Sequence, residues 1–404
     1  MNNYIIKNAR VIDPSQKIDE IKNIYISNGR FSDFSENLTY IEIDAKGMIA
    51  APGFIDMHVH LRDPGFTHKE DIISGCKAAA AGGVTTVLAM PNTNPCTDSP
   101  EVVTYIREKA ESADAHVLPV SAISKGLGSD NLVDFEAMLN AGAIAFSDDG
   151  KPVCTSEKMM QAMCKVKELD GIILDHCEDM SLLNYPYPNA AEDVGTARDI
   201  AIAVSTGVRM HICHVSTAFS VALVRAAKKL CDNITAETCP HYFSFTRDDA
   251  GDDPDFKINP PIRNEEDVKA IIEAIADGTI DVISTDHAPH TAEEKADIKT
   301  APCGGIGMET ALSASVTNLV DASHITYYKL IEKMSTAPAK ILRIDNAIKV
   351  GNVADLVIFD PNEVYTVDIK KFHGKSTNSP FKNRQLKGKV KYTFCSGKQV
   401  YKDE

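Results

Sequence analysis

Gly53-Phe54-Ile55-Asp56-Met57-His58-Val59-His60-Leu61-Arg62 is an apolar run that closes on two imidazoles and a guanidinium. Its length suits a strand buried on both faces, which is how strands of a parallel sheet read. Working outward, seven further runs of this kind follow: Val84–Met90, His116–Ile123, Ala143–Ser147, Gly171–Asp175, Arg209–Val215, Ile234–Thr238 and Asp281–Thr285. Helix-length segments rich in Ala, Glu and Lys separate them, among them Ser99–Ser112, Ser156–Leu169, Ala218–Leu230 and Asn264–Asp277. Eight alternations of strand and helix predict a (β/α)8 barrel over residues 51–345. Residues 1–50 and 346–404 have a different texture, short β-type pieces such as Ile24-Tyr25-Ile26 and Leu356-Val357-Ile358-Phe359. Both chain ends are therefore expected to form one composite β-sandwich domain beside the barrel.

In a barrel of this kind chemistry sits at the C-terminal ends of the strands. Those ends carry His58 and His60, Met90-Pro91-Asn92, Ser147-Asp148-Asp149, Asp175-His176-Cys177-Glu178, His211 with His214, and Thr285-Asp286-His287-Ala288-Pro289-His290. Buried imidazoles and carboxylates need partners, and a metal ion supplies a common one. In the pair His58 and His60, residues two apart on a strand point the same way, so both rings converge on one point. Arg62 is the next residue of that parity. With Asp149, His176, His214 and Asp286 the donor set is one of nitrogen and oxygen ligands that favours zinc. Of the neighbours Asp148 and Asp149 only one can face inward, and spacing alone leaves open which. Lys151 reads as a solvated loop charge, Cys177 as packing, and His241 as either a supporting group or part of the rim. His68, His116, His324 and His373 read as surface or packing residues. Gly82-Gly83 reads as a helix stop. The stretch 291–305, ending in Pro302-Cys303-Gly304-Gly305, reads equally as a mobile lid or an ordinary glycine-rich loop.

Composition narrows the classes. Lys and Arg total 42 against 57 Asp and Glu, a net charge of −15, which argues against a nucleic-acid surface. No apolar run approaches the ~20 residues of a membrane span, and the beginning of the chain carries no signal-peptide pattern. Ten scattered cysteines without a C-x-x-C pair suit a reducing cytoplasm.

The run from Gly53 to Asp63-Pro64-Gly65 resembles the signature of dihydroorotases, within the amidohydrolase superfamily. The resemblance continues in order through Met90-Pro91-Asn92-Thr93, Phe146-Ser147-Asp148-Asp149-Gly150, Asp175-His176-Cys177-Glu178, His214-Val215-Ser216-Thr217, Ile258-Asn259-Pro260-Pro261 and Thr285 to His290. It implies that His58, His60 and Asp149 hold one zinc, with Asp286 joining that site. It implies that Asp149, His176 and His214 hold a second, so that two zinc ions per subunit are expected, or one. Asp149 stands where hydantoinases carry a bridging carbamylated lysine, as in the long-chain bacterial dihydroorotases. Asp286 is then also the catalytic acid–base. Arg62, Asn92, Asn259 and His290 are implied to contact substrate, with backbone help near Pro302 and Gly304. The implied reaction is the zinc-dependent, reversible hydrolysis of L-dihydroorotate to N-carbamoyl-L-aspartate in pyrimidine biosynthesis. Allantoinase or hydantoinase activity is the alternative within the superfamily. A homodimer is implied, and some relatives are inactive partners of aspartate transcarbamoylase. Those lose metal ligands, and none is lost here. The segment between Glu178 and His211 is shorter than the resemblance leads one to expect, at the subunit contact or the site entrance.

Overall fold

The computed structural model describes residues 2–403. Its strands begin with β1 (Tyr4–Asp13), β2 (Ile18–Ser27), β3 (Arg30–Ser32), β4 (Ile41–Asp44) and β5 (Ile49–Pro52). Next come β6 (Phe54–Val59), β7 (Val84–Ala89), β8 (His116–Ser121), β9 (Ala145–Phe146), β10 (Ile172–Asp175), β11 (Arg209–Ile212), β12 (Ile234–Thr238) and β13 (Val282–Ile283). The chain ends with β14 (Leu356–Thr366), β15 (Gln385–Cys395) and β16 (Lys398–Lys402).

Strands β6 to β13 pair in sequence order in one eight-stranded sheet. Every pairing described in it is parallel. A parallel bridge between Val59 and His287, with His60 N–H donating to the His287 carbonyl at 2.8 Å, joins the last segment back to the first. All eight expected strands are present, and the ring is the TIM-like barrel expected from the alternation. β9 and β13 are two residues long. Backbone bonds continue past their ends, Ser147 N–H to Ser121 and Ser284 N–H to Thr238, so the wall is not broken there. The helices expected between strands run Pro100–Ala110, Ser156–Glu168, Ala218–Ala227 and Glu265–Asp277. A shorter one, Ile72–Ala81, is fixed at its start by a capping box between Asp71 and Ser74 and ends at Gly82-Gly83.

Alternation sorts the wall into two layers. Val87, Ala89, Phe146, Ile173, Ile212 and Ile283 join the cluster under the helices. Leu88, Ala145, Leu174, Cys213 and Val282 fill the interior. β6 changes phase, because its ladder slips between Asp56 and Val59. Ile55 and Met57 lie in the interior cluster, whereas Val59 and Leu61 lie in the outer one. The slip therefore turns His58 and His60 inward, above a plug of apolar side chains.

The two chain ends form a second sheet, ordered β16-β15-β14-β5-β1-β2-β3, with β4 also pairing to β1. β1 serves two partners because it bulges between Ile6 and Ala9. Its first half pairs with β4 and its second with β5. Asn8 takes the left-handed backbone, φ 62°, that the bulge requires. The sheet bends over itself, bringing the rings of Tyr4 and Phe394 to 4.9 Å around a core of Ile6, Ile24, Ile26, Phe31, Leu356 and Ile358. The alternate residues Val357, Phe359 and Val390 pack into the barrel's outer cluster. No helix of the described residues is long and apolar enough to cross a membrane.

Candidate active site

At the C-terminal mouth of the barrel a cavity of about 410 Å³ is lined by His60, Arg62, Asn92, Asp149, His176 and His214, with Glu178, Asn259, Asp286, His290, Cys303 and Gly304 around them. A larger cleft of about 860 Å³ opens at the opposite end of the barrel, among Arg209, Lys228, Lys333 and Lys340, and no imidazole lines it. The chemistry-bearing groups belong to the smaller cavity.

His58 lies beneath its floor, fully buried. Its Nε2 is 3.3 Å from Asp149 and 3.6 Å from Asp286. His60 Nε2 is 3.1 Å from Asp286 and 3.4 Å from the other Asp149 oxygen. Across the cavity His176 Nδ1 stands 3.3 Å from Asp149 and 2.8 Å from His214 Nε2. Asp149 thus lies between two sets of donors, His58 with His60 and His176 with His214, each compact enough to surround one ion.

Three of the four rings are held from behind. His58 Nδ1 meets Glu237 at 3.0 Å, His60 Nδ1 meets Asn92 Oδ1 at 2.8 Å, and His176 Nε2 meets Glu178 at 3.1 Å. Each acceptor takes the ring's N–H and leaves the opposite lone pair aimed into the cluster, the orientation metal-binding histidines need. His58 Nε2 is buried with no hydrogen-bond partner. An orphaned, aimed nitrogen of this kind fits an ion placed between it and Asp149. Burial opposes ionisation of Asp149, but the rings of His58, His176 and His214 overcome it and hold this carboxyl well below its usual range.

Asp148 faces the other way. Its carboxylate accepts from the backbone N–H groups of Ile123 (2.7 Å) and Ser124 (3.0 Å) and from the Ser124 hydroxyl. The ambiguity left by spacing is therefore resolved by the loop after β8, which offers Asp148 two amides.

Arg62 reaches the cavity by a route other than strand parity. β6 ends at Val59, and Arg62 adopts a left-handed backbone with φ 58°. His214 (φ 36°) and Asp286 (φ 47°) do the same. Three of the expected site residues thus sit in a conformation that non-glycine residues rarely take, a form of strain that clusters at functional sites. Arg62 Nε donates to the Pro289 carbonyl at 3.2 Å, and one terminal nitrogen is 3.3 Å from His290 Nε2. Burial draws its pKa down to about 10, so it stays charged at neutral pH. Burial also lowers His290 to about 3, helped by the charges of Arg62 and Lys69, so His290 is neutral beside them.

Asn259 Nδ2 donates to Glu178 at 3.2 Å. Pro302 is not among the lining residues, and its carbonyl accepts from Lys295 instead, at 3.2 Å. Lys295 is buried and also donates to the Lys257 and Gly304 carbonyls, which pins the 291–305 segment to the barrel. His241 is buried outside the cavity lining, and burial lowers it to about 4. Lys151 is exposed, and Cys177 is packed with its thiol 3.2 Å from Asp175. Met180 and Leu183, from the short segment after Glu178, line one side of the entrance. Sequence reasoning missed Glu237 and Cys303. A carboxylate inside the β12 run Ile234–Thr238 was the available signal for Glu237, since such a group is not buried without partners. Nothing marked Cys303.

A barrel with imidazoles and carboxylates gathered at its C-terminal mouth, and a terminal β-domain beside it, has the architecture of the amidohydrolases. Residues 47–220 match the family described as Dihydro-orotase-like. A dihydroorotase of Clostridium acetobutylicum is 46% identical over 422 aligned positions, covering 99% of this chain and 100% of the relative. One from Clostridioides difficile is 46% identical over 98% of this chain and 99% of its own length. Among solved structures, an L-hydantoinase (dihydropyrimidinase) from Arthrobacter aurescens superposes with a TM-score of 0.90 at 25% identity, covering 100% of this chain and 96% of that one. The chain belongs to the dihydroorotase family.

Proposed function

We propose that this chain is a zinc-dependent dihydroorotase that interconverts L-dihydroorotate and N-carbamoyl-L-aspartate, with ring closure serving pyrimidine synthesis. The observation that carries the reading is Arg62, a charged guanidinium in the same cavity as His60, Asp149, His176, His214 and Asp286, with His58 completing the donor set from beneath its floor. Dihydroorotate is a cyclic amide bearing a carboxylate, and the cavity offers one region suited to each. The identity to dihydroorotases, 46% over nearly the whole chain, favours this substrate over the hydantoins that the structural neighbour's name points to.

His58, His60 and Asp149 would hold one zinc and Asp149, His176 and His214 a second. Zinc in such a site polarises an amide carbonyl and lowers the pKa of a bound water toward ~7. Arg62 binds the ring carboxylate with its planar fork and so fixes which carbonyl faces the cluster. Asn92 and Asn259 line the cavity beside it and offer amide groups to the ring. Asp286, whose carboxylate stands 3.1 Å from His60 Nε2, would take the attacking water's proton and return it to the ring nitrogen as the C–N bond opens. In the closing direction the same carboxylate receives a proton from the ureido nitrogen. Asp286 is buried, which opposes its ionisation, yet the bond from His60 and the charges of His58 and His60 hold it below its ordinary value, ready to accept. All ten cysteines are free, which suits work in a reducing cytoplasm.

The test is purified protein with L-dihydroorotate, followed by loss of the ring amide's ultraviolet absorbance, with allantoin and hydantoin run alongside. Turnover of dihydroorotate alone is expected. Turnover of the other two amides without dihydroorotate would reassign the substrate, and co-elution with aspartate transcarbamoylase without turnover of any would replace catalysis by a scaffolding role. Size-exclusion of the same preparation reads the expected homodimer.

A further inference from the structure

Away from the catalytic cluster and the groups behind His58, an imidazole, a carboxylate and a thiol come together in His116, Asp355 and Cys395. His116 opens β8 at the barrel's N-terminal end, Asp355 immediately precedes β14, and Cys395 closes β15. One donor atom from each lies within 4.8 Å of the others. We propose that His116, Asp355 and Cys395 form a separate zinc site that staples the terminal β-domain to the barrel.

The donor set selects the ion. Thiolate, imidazole and carboxylate together suit zinc, whereas magnesium and calcium take oxygen ligands. A tetrahedral zinc with bonds of roughly 2.0–2.3 Å spaces its ligand atoms by roughly 3.3–3.8 Å, so these three need shifts on the order of 1 Å. His116 Nε2 and Asp355 Oδ2 already stand 3.0 Å apart. Asp355 is fixed by its other oxygen, which accepts from Ser396 N–H at 2.7 Å, and this leaves Oδ2 turned to His116. The Cys395 thiol is buried, faces His116, and makes only a weak contact to the Thr85 carbonyl at 3.9 Å. A cavity of about 470 Å³, lined by His116, Cys395 and Ser396, lies against the cluster and has room for a fourth ligand from water. The neighbouring cations are turned elsewhere: Lys398 reaches Asp114 at 3.3 Å and Arg107 donates to the Ala141 carbonyl at 2.8 Å. Asp355 lies 239 residues beyond His116 along the chain, and Cys395 lies further on still, so one ion would close a long loop between the barrel strand and the terminal sheet. Binding displaces the Cys395 thiol proton and the proton that the pairing with Asp355 keeps on His116, and releases both to solvent.

The experiment compares full-length wild type, Cys395→Ser and His116→Gln after dialysis at one defined free zinc concentration. Metal analysis is expected to give one zinc equivalent fewer in each variant than in wild type, with kcat/KM unchanged. Cobalt-loaded wild type is expected to show a thiolate-to-cobalt charge-transfer band that Cys395→Ser lacks. Equal zinc content in all three proteins, with identical cobalt spectra, would overturn the site and leave an imidazole–carboxylate pair beside a bystander thiol. Should Cys395→Ser fail to fold, His116→Gln, at a half-buried position, carries the stoichiometry test alone. Because the readout is a difference between variants, it does not depend on how many ions the catalytic cluster holds.

Discussion

Arg62→Met removes the charge that the proposed substrate's carboxylate would meet while keeping an unbranched side chain of similar length. The Arg62 Nε is committed to the Pro289 carbonyl, and one terminal nitrogen lies near His290. The remaining N–H groups of the two terminal nitrogens can form an end-on pair with a carboxylate. Two hydrogen bonds to a charged partner, each worth about 1.5–3 kcal/mol, come to about 3–6 kcal/mol. At about 1.4 kcal/mol per tenfold, kcat/KM for dihydroorotate should fall by about 10² to 10⁴. The loss should appear mainly in KM, because the carboxylate is bound alike in ground and transition states. The assay pairs the variant with a second cyclic amide, dihydrouracil, which lacks the carboxylate. Wild type should favour dihydroorotate by about the same factor, and Arg62→Met should erase that preference without harming the poorer substrate. An unchanged KM, or equal losses on both substrates, would refute the assignment of Arg62 to the carboxylate.

Other outcomes follow from the same geometry. Asp286→Ala should lower kcat by about 10² to 10⁴, the range of general acid–base catalysis, while metal analysis shows the ions largely retained. Glu237→Met deletes the acceptor shared by His58 and His211. Metal affinity should drop about 10–100-fold in equilibrium dialysis, as expected when a ligand's supporting group is lost. Asp71 caps the helix Ile72–Ala81 and pairs with Lys375. Asp71→Ala should therefore cost about 0.5–2 kcal/mol in denaturant unfolding. Partial burial pushes the Asp71 pKa up, but the Lys375 and Ser74 bonds outweigh it and hold it at about 2, against 3.8 when unpaired. Its contribution is thus complete above about pH 4 and is lost as pH falls toward 2, and the variant should lose stability less steeply over that interval.

The sequence by itself determined the barrel, because eight apolar runs at helix-length spacing admit few other architectures. It also determined which residue types crowd the strand ends, since imidazoles and carboxylates stand out against apolar runs. His58, His60, His176, His214 and Asp286 were legible in that way. Tertiary structure decided the rest. Asp149 over Asp148 followed from two amides of the β8 loop, which no local pattern encodes. Glu237 stood out in sequence only as a carboxylate inside an apolar run, and its partner is fixed by β12, which sets it behind His58, whose own position depends on a slip in the β6 ladder. Arg62 lines the cavity, but it gets there through a left-handed turn after the strand has ended rather than by strand parity. The segment 291–305, readable from sequence as lid or as ordinary loop, is tied down by Lys295, whose ammonium gathers three carbonyls from two segments, that of Pro302 among them. Alternation along one strand is a local property and can be read from one chain. Which backbone amide, ring or ammonium meets a given side chain depends on residues elsewhere in the chain, 25 positions away for Asp148 and 179 for His58, and only the closed barrel brings them together.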